Sequence, residues 1–222
     1  SISIANGKAD GVVVNGEKHD ADVVVGSADY HHIEQHLLPE KYRTYSQKYW
    51  DKRNMAPSAL LFFMGFNKKI KNLLHHNLLF DEDFDNHAAA IYEQPHWPEQ
   101  PLLYVSATSK TDKNVAPEGH ENVVVLIPVA PGIDGSKHIR DEYRDLVINR
   151  IETLTGDKIK DNLVYSRSYA HEEFVGEYNA FKGNAYGLSN TLRQTAVLKP
   201  SIVHKKLPNM FYTGQLTTPG PG

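Results

Sequence analysis

The sequence contains no cysteine, which excludes disulfides, thiolate chemistry and any zinc site built on sulfur. No apolar run approaches the roughly 18–20 residues that a membrane-spanning helix needs. The longest, Ala59-Leu60-Leu61-Phe62-Phe63-Met64-Gly65-Phe66, has the length of a strand. Positive charge is not in excess. The 24 Lys and Arg stand against 27 Asp and Glu, and a net charge of −3 gives no basic field to argue for nucleic acid. No signal peptide, catalytic triad, paired-carboxylate motif, internal repeat or flexible linker is visible. A Gly-x-Gly-x-x-Gly turn, which would set a pyrophosphate on a helix N-terminus, is also missing.

What is present is a chain of 222 residues, 40% hydrophobic, long enough for one large domain or two small ones. Residues 1–28 read as a β-meander, with Asn6-Gly7 and Asn15-Gly16 as hairpin turns. The run Ala21–Ala28 is apolar enough to predict a strand buried on both faces. Asp29 caps a predicted helix to Leu38, and Pro39 opens a second over 40–52, with Tyr42, Tyr45 and Tyr49 on one face. Pro57–Phe66 predicts another two-sided strand, and Leu73–Phe80 a third that carries His75 and His76. Those two histidines point to opposite faces, so one is expected in the core and one outside. His31, His32 and His36 lack the His-Glu-x-x-His arrangement, and no metal is expected. The acidic run Asp81–Asp85 lacks the glycine and distal Glu of a calcium loop and reads as a helix N-terminus. Ser136 opens the longest helix, which runs to Thr155 and is closed by Gly156. Strand pairs outnumber βαβ units, so the fold class is α+β, with a mixed or largely antiparallel sheet and helices packed on one face.

The end of the chain carries the most specific pattern. Met210-Phe211-Tyr212-Thr213-Gly214-Gln215-Leu216-Thr217-Thr218-Pro219-Gly220-Pro221-Gly222 is a buried strand opening into a Gly/Pro turn whose backbone can approach a ligand. Upstream stand Asn179-Ala180-Phe181-Lys182-Gly183-Asn184-Ala185-Tyr186-Gly187-Leu188 and Thr191-Leu192-Arg193-Gln194-Thr195-Ala196. Together, and in order along essentially the whole chain, these segments resemble the carotenoid (phytoene) desaturase family of flavin-dependent enzymes.

The resemblance implies that the chain is the middle and C-terminal portion of a longer protein, with both ends cut. It divides residues 1–28 (meander and return strand of an FAD domain), 29–178 (substrate domain) and 179–222 (return to the FAD domain). It implies FAD contacts at Thr213, Gly214, Gln215, Pro219, Gly220 and Gly222, with Asn184 and Arg193 as further candidates. Gln215 stands where many flavin proteins have Asp or Glu, and its amide can still donate or accept. The family's nucleotide fingerprint lies upstream of this segment, so the chain expressed alone is expected to be colourless. No catalytic side chain is named, because the cofactor carries the hard step. The substrate implied is a long polyene, with Ala59–Phe66 and Leu102–Val105 as apolar channel walls or as ordinary sheet core. A cytoplasmic enzyme peripheral to the membrane is expected, with Tyr30–Trp50 or the Pro95–Pro101 loop and its Trp97 at the lipid surface. An isomerase, saturase or oxygenase would share the scaffold. A non-catalytic lipid-binding or docking module is the reading of a different class.

Overall fold

The computed structural model describes residues 1–218 and Gly220, and the chain forms two compact units, Ser1–Pro57 with Glu173–Gly222 and Ser58–Glu172. The strands are β1 (Ile2–Ala5), β2 (Lys8–Val14), β3 (Glu17–Asp20), β4 (Val24–Gly26), β5 (Ser58–Phe66), β6 (His76–Leu79), β7 (Leu103–Ser106), β8 (Glu121–Val129), β9 (Leu163–Tyr169) and β10 (Met210–Tyr212). The α-helices are α1 (Tyr30–His32), α2 (Gln47–Asp51), α3 (Phe84–Tyr92), α4 (Lys137–Thr155) and α5 (His171–Tyr178).

In the first unit β1, β2 and β3 form the antiparallel meander. Its turns fall at Asn6-Gly7 and Asn15-Gly16, all four residues with positive φ, the backbone that two-residue hairpins require. β4 pairs in parallel with β10. The expected two-sided strand over residues 21–28 is reduced to Val24–Gly26, and Val23 and Val25 are 54% and 58% exposed. Among the described residues β4 has one ladder partner, and the face carrying Val25 is open to solvent.

The two predicted helices of residues 29–52 are also broken up. α1 continues as a π turn over Ile33–Leu37, and Pro39 precedes a single 3-10 turn, Glu40–Tyr42. The helix stops there because the amides of Thr44 and Tyr45 bond Glu34 Oε2 at 2.6 and 3.0 Å instead of helical carbonyls. Ser46 then caps α2. Tyr42, Tyr45 and Tyr49 therefore share no helical face. Tyr45 and Tyr49 instead flank the indole of Trp50, which is 0% exposed. Tyr30, Ile33, Trp50, Leu188, Met210 and Tyr212 belong to one core, so residues 29–57 group with the first unit. The expected domain boundary at 29 moves to Pro57/Ser58.

The second unit is a five-stranded antiparallel sheet in the order β6-β7-β8-β5-β9. β8 alternates strictly between buried and half-buried residues, the signature of an antiparallel strand with one face on a core. That face carries Leu60, Phe62, Met64, Leu103, Val105, Val123, Val125 and Ile127, packed in one cluster with Tyr143, Val147, Ile148 and Ile151 of α4. β5 is thus a one-faced strand, not the two-sided one expected. Phe63, on its other face, is 36% exposed.

β6 is shorter than the predicted strand because Asn77 ties the preceding turn, accepting from Leu74 N and donating to Leu74 O. Neither histidine there is in the core. His75 and His76 stack at 4.1 Å, bonded to Thr111 Oγ1 and to the Tyr104 hydroxyl. Asp83 caps α3 through Asn86 N, as the acidic run predicts. Trp97 packs on Tyr143 and donates its indole N–H to Asp134 O at 2.6 Å, so it is a structural side chain.

α4 ends at Gly156, φ +68, and the following turn folds back on Glu152. Its carboxylate accepts from Ile159 N and Lys160 N at 2.7 and 2.9 Å, and Lys158 Nζ lies at 2.8 Å. The Lys158 ammonium, then the Lys160 and Ile159 amides, hold its pKa at about 2 against an ordinary 4.5. A depressed carboxylate stabilises the fold above its unfolded pKa and loses that contribution as pH falls towards the folded value. Glu152→Gln is therefore expected to flatten the melting-temperature profile between about pH 4.5 and pH 2. A variant whose acid-side slope equals wild type's would refute this.

Candidate flavin-side turn

β4 and β10 run in parallel in the register Val24–Met210, Val25–Phe211, Gly26–Tyr212. Their carboxyl ends therefore lie side by side, and Thr213 N donates to Gly26 O at 3.0 Å. Ligands of open parallel sheets sit outside strand carboxyl ends. The Gly26 end is small for packing reasons: a Cβ there would stand 2.6 Å from Ile33 Cδ1.

Beyond β10 the chain turns at Gly214, φ +120. Thr217 closes the turn, its amide and hydroxyl donating to Gly214 O at 3.1 and 2.8 Å. Thr213 and Gly214 are exposed, and among the described residues, its two chain neighbours aside, no heavy atom lies within 4 Å of where a Gly214 Cβ would be. The turn thus presents bare backbone that a planar ring or a polyol chain can approach. Gln215 is half-buried and its side-chain amide has no hydrogen-bond partner among the described residues. Gly220, φ +87, packs against Lys199, whose Nζ would stand 2.5 Å from a Cβ there. The expected contacts at Pro219 and Gly222 lie outside the described residues.

The upstream loop closes on this turn. A Cβ on Gly187 would stand 2.3 Å from Gln215 O, so only glycine fits. Asn184, 1% exposed, spends its amide inside the protein. It donates to Phe181 O and Asp29 Oδ2 and accepts from Gly187 N. It shapes the loop, and its amide is not presented to a ligand. Arg193 is exposed and has no partner among the described residues.

Two carboxylates hold these segments together. Asp29 accepts from His32 N, as a helix cap, and from Phe181 N and Asn184 Nδ2. Glu34, 0% exposed, takes the Thr44 and Tyr45 amides on one oxygen and the Tyr212 hydroxyl at 2.6 Å on the other. Tyr212 stacks on Tyr30 at 3.8 Å. Burial, reinforced by the Glu34 charge, drives both phenol pKa values up. His204 accepts at Nδ1 from the Lys206 and Leu207 amides, which assigns its proton to Nε2, 3.6 Å from Glu34. Burial lowers its pKa although Glu34 opposes this, so the imidazole is neutral. Sequence reasoning missed Glu34, although its i+4 spacing from Tyr30 on a predicted helix puts it on the buried stripe.

No protein-family model matches the chain. Among curated proteins it is 43% identical over 209 residues to a carotenoid 3,4-desaturase of Haloarcula japonica, covering 94% of this chain and 42% of that protein. It is 30% identical over 224 residues to a 4,4'-diapophytoene desaturase (4,4'-diaponeurosporene-forming) of Staphylococcus haemolyticus, covering 97% and 44%. It is 31% identical over 211 residues to a zeta-carotene-forming phytoene desaturase of Myxococcus xanthus, covering 93% and 40%. The chain thus spans less than half the length of these relatives. Among solved structures, an oxidoreductase from Methanosarcina mazei shares the fold, with a TM-score of 0.52 and 14% identity over 97% of this chain and 43% of that one.

Proposed function

We propose, because the chain belongs to the carotenoid (phytoene) desaturase family, that the protein carrying it desaturates a carotenoid precursor with FAD as its cofactor. The observation that carries this reading is the 43% identity to a carotenoid 3,4-desaturase across 94% of the chain. Bound flavin supplies the hydride acceptor for a saturated carbon–carbon bond whose second hydrogen leaves as a proton. The chain's part is to bind and orient. The Gly214 backbone offers close approach, and Thr213 and Gln215 offer an exposed hydroxyl and an unpartnered amide at the carboxyl ends of two parallel strands. Arg193, an exposed cation without a partner among the described residues, is the candidate for a cofactor phosphate oxygen.

The second unit supports a hydrocarbon substrate. Ladder register puts Leu61, Phe63, Tyr104, Val124 and Leu126 on the sheet face opposite α4. Of the two apolar segments named as channel walls, Leu60, Phe62, Met64, Leu103 and Val105 are core. Leu61, Phe63 and Tyr104 are left to meet a polyene. A substrate of this kind gains about 0.8 kcal/mol per carbon on leaving water, so the enzyme works where the hydrocarbon is, at a bilayer.

The test is turnover. Full-length protein loaded with FAD and given a detergent-dispersed phytoene-type polyene should shift the visible absorption to longer wavelength as conjugation grows. Phe63→Asp should cut that rate about tenfold or more by placing a charge on the apolar face. Flavin-loaded protein that leaves the spectrum of every such polyene unchanged would overturn the reading.

A further inference from the structure

Desaturation leaves a proton to be taken, and an apolar sheet face has little to take it with. One pair of side chains on the face opposite α4 differs from the rest. Ladder register puts His76 opposite Ser106, with Tyr104 diagonal to it, on the face that also carries Leu61, Phe63, Val124 and Leu126. Diagonal neighbours on one face are within reach when the side chains are aromatic. His76 Nδ1 and the Tyr104 hydroxyl stand 2.5 Å apart.

A histidine that only holds the fold together looks different. His87, 4% exposed in the same unit, spends both ring nitrogens on the backbone. Its Nδ1 accepts from Leu102 N at 2.9 Å, and its Nε2 donates to Pro128 O at 2.8 Å. The His76 ring makes one hydrogen bond among the described residues, and that bond is to a phenol. The Tyr104 hydroxyl has no other partner among the described residues, so its proton points at Nδ1 and the neutral imidazole carries its own on Nε2. The ring is steadied from its other side. His75 stacks on it at 4.1 Å and is itself fixed by Thr111 Oγ1 at 2.6 Å, whose hydroxyl reaches Thr108 O at 3.4 Å. Arg167, on the same face, lies over the Tyr169 ring, and its guanidinium cannot accept a proton.

We propose that Tyr104 is the proton acceptor of the reaction and that His76 relays the proton onward. The assignment rests on the desaturase reading, and it holds whether or not this face lies open to solvent. One C–H bond of the polyene gives up its hydrogen with the electron pair, as hydride to the bound flavin. On the next carbon the C–H electron pair becomes the new C=C bond, and the proton goes to the Tyr104 oxygen. As the oxygen takes it, the phenol's own proton passes to His76 Nδ1. The imidazolium then gives up one proton to water, which restores the neutral pair. A hydrocarbon C–H is not acidic by itself, but loss of hydride builds positive charge on the neighbouring carbon, so a mild base suffices. A phenol already bonded to an imidazole is such a base, and being neutral it costs less to cover with hydrocarbon than a carboxylate would.

The experiment uses full-length protein loaded with FAD and given detergent-dispersed polyene. Tyr104→Phe keeps the ring, so melting temperature and KM should stay near wild type while kcat falls about a hundredfold. His76→Asn keeps an acceptor near the Nδ1 position but cannot carry a proton. It should lose about tenfold or more in kcat, as His76→Ala does. In nitrogen spectra of protein with isotope-labelled histidine, Tyr104→Phe should move the His76 ring signals and leave those of His87 in place. Wild-type kcat in Tyr104→Phe, or a change in KM alone, would reduce Tyr104 to an apolar contact and overturn the proposal. Full kcat in His76→Asn would reduce His76 to holding the phenol and overturn the relay. Unmoved His76 signals would overturn the contact itself. Wild-type protein that converts no polyene would overturn the desaturase reading and this proposal with it, whereas wild-type turnover with silent variants overturns the proposal alone.

Discussion

Gly214→Val in the full-length protein is expected to give a folded protein that purifies with less than about a tenth of the wild-type flavin. Two effects combine. The backbone at Gly214 has φ +120, where a β-branched residue costs about 1–3 kcal/mol of fold stability. That strain is tolerable, because among the described residues, the two chain neighbours aside, no heavy atom lies within 4 Å of the new Cβ. The same open space is what the proposed cofactor would occupy, and two methyl groups would fill it. Gly187→Val is the contrasting control. There the Cβ would stand 2.3 Å from Gln215 O, so the fold is lost along with the flavin. Normal flavin content in a folded Gly214→Val protein would show that the cofactor does not approach this backbone.

A large loss of stability is also expected at Glu34. In Glu34→Ala the amides of Thr44 and Tyr45 and the hydroxyl of Tyr212 lose their acceptor inside a closed core. Each stranded donor costs about 1–3 kcal/mol, so a loss of about 3 kcal/mol or more in denaturant unfolding is expected. Glu34→Gln keeps the volume and one acceptor oxygen and should fall between wild type and alanine. Tyr212 is the last residue of β10 and directly precedes Thr213 and Gly214. Loosening it should lower flavin affinity even at temperatures where the protein remains folded. A Glu34→Ala loss below about 1 kcal/mol would mean that water or another side chain replaces the carboxylate.

The two substitutions separate the roles at one end of β10. Gly214 presents backbone outward, and Glu34 holds the strand from behind. Flavin loss with a normal melting temperature belongs to the first kind, and a joint loss belongs to the second.

Several elements were legible from sequence because their causes are local. Asn-Gly pairs supply the positive φ that the meander turns need, and both turns fall there. Asp83 and Gly156 end their helices by their own chemistry. The turn after Tyr212 could be located because its glycines and prolines admit few backbones. What only the tertiary structure decided depends on partners far away in the chain. The helix predicted over 40–52 breaks because Glu34 takes two of its amides, and the buried indole of Trp50 follows from that break. Asn184 reads as a ligand contact in a loop motif, yet Asp29, 155 residues away in sequence, accepts from its amide. Whether Phe62 or Phe63 meets the core is set by ladder register, which one residue of slip would reverse. Local backbone preference is written residue by residue; burial is a property of what the rest of the chain brings alongside.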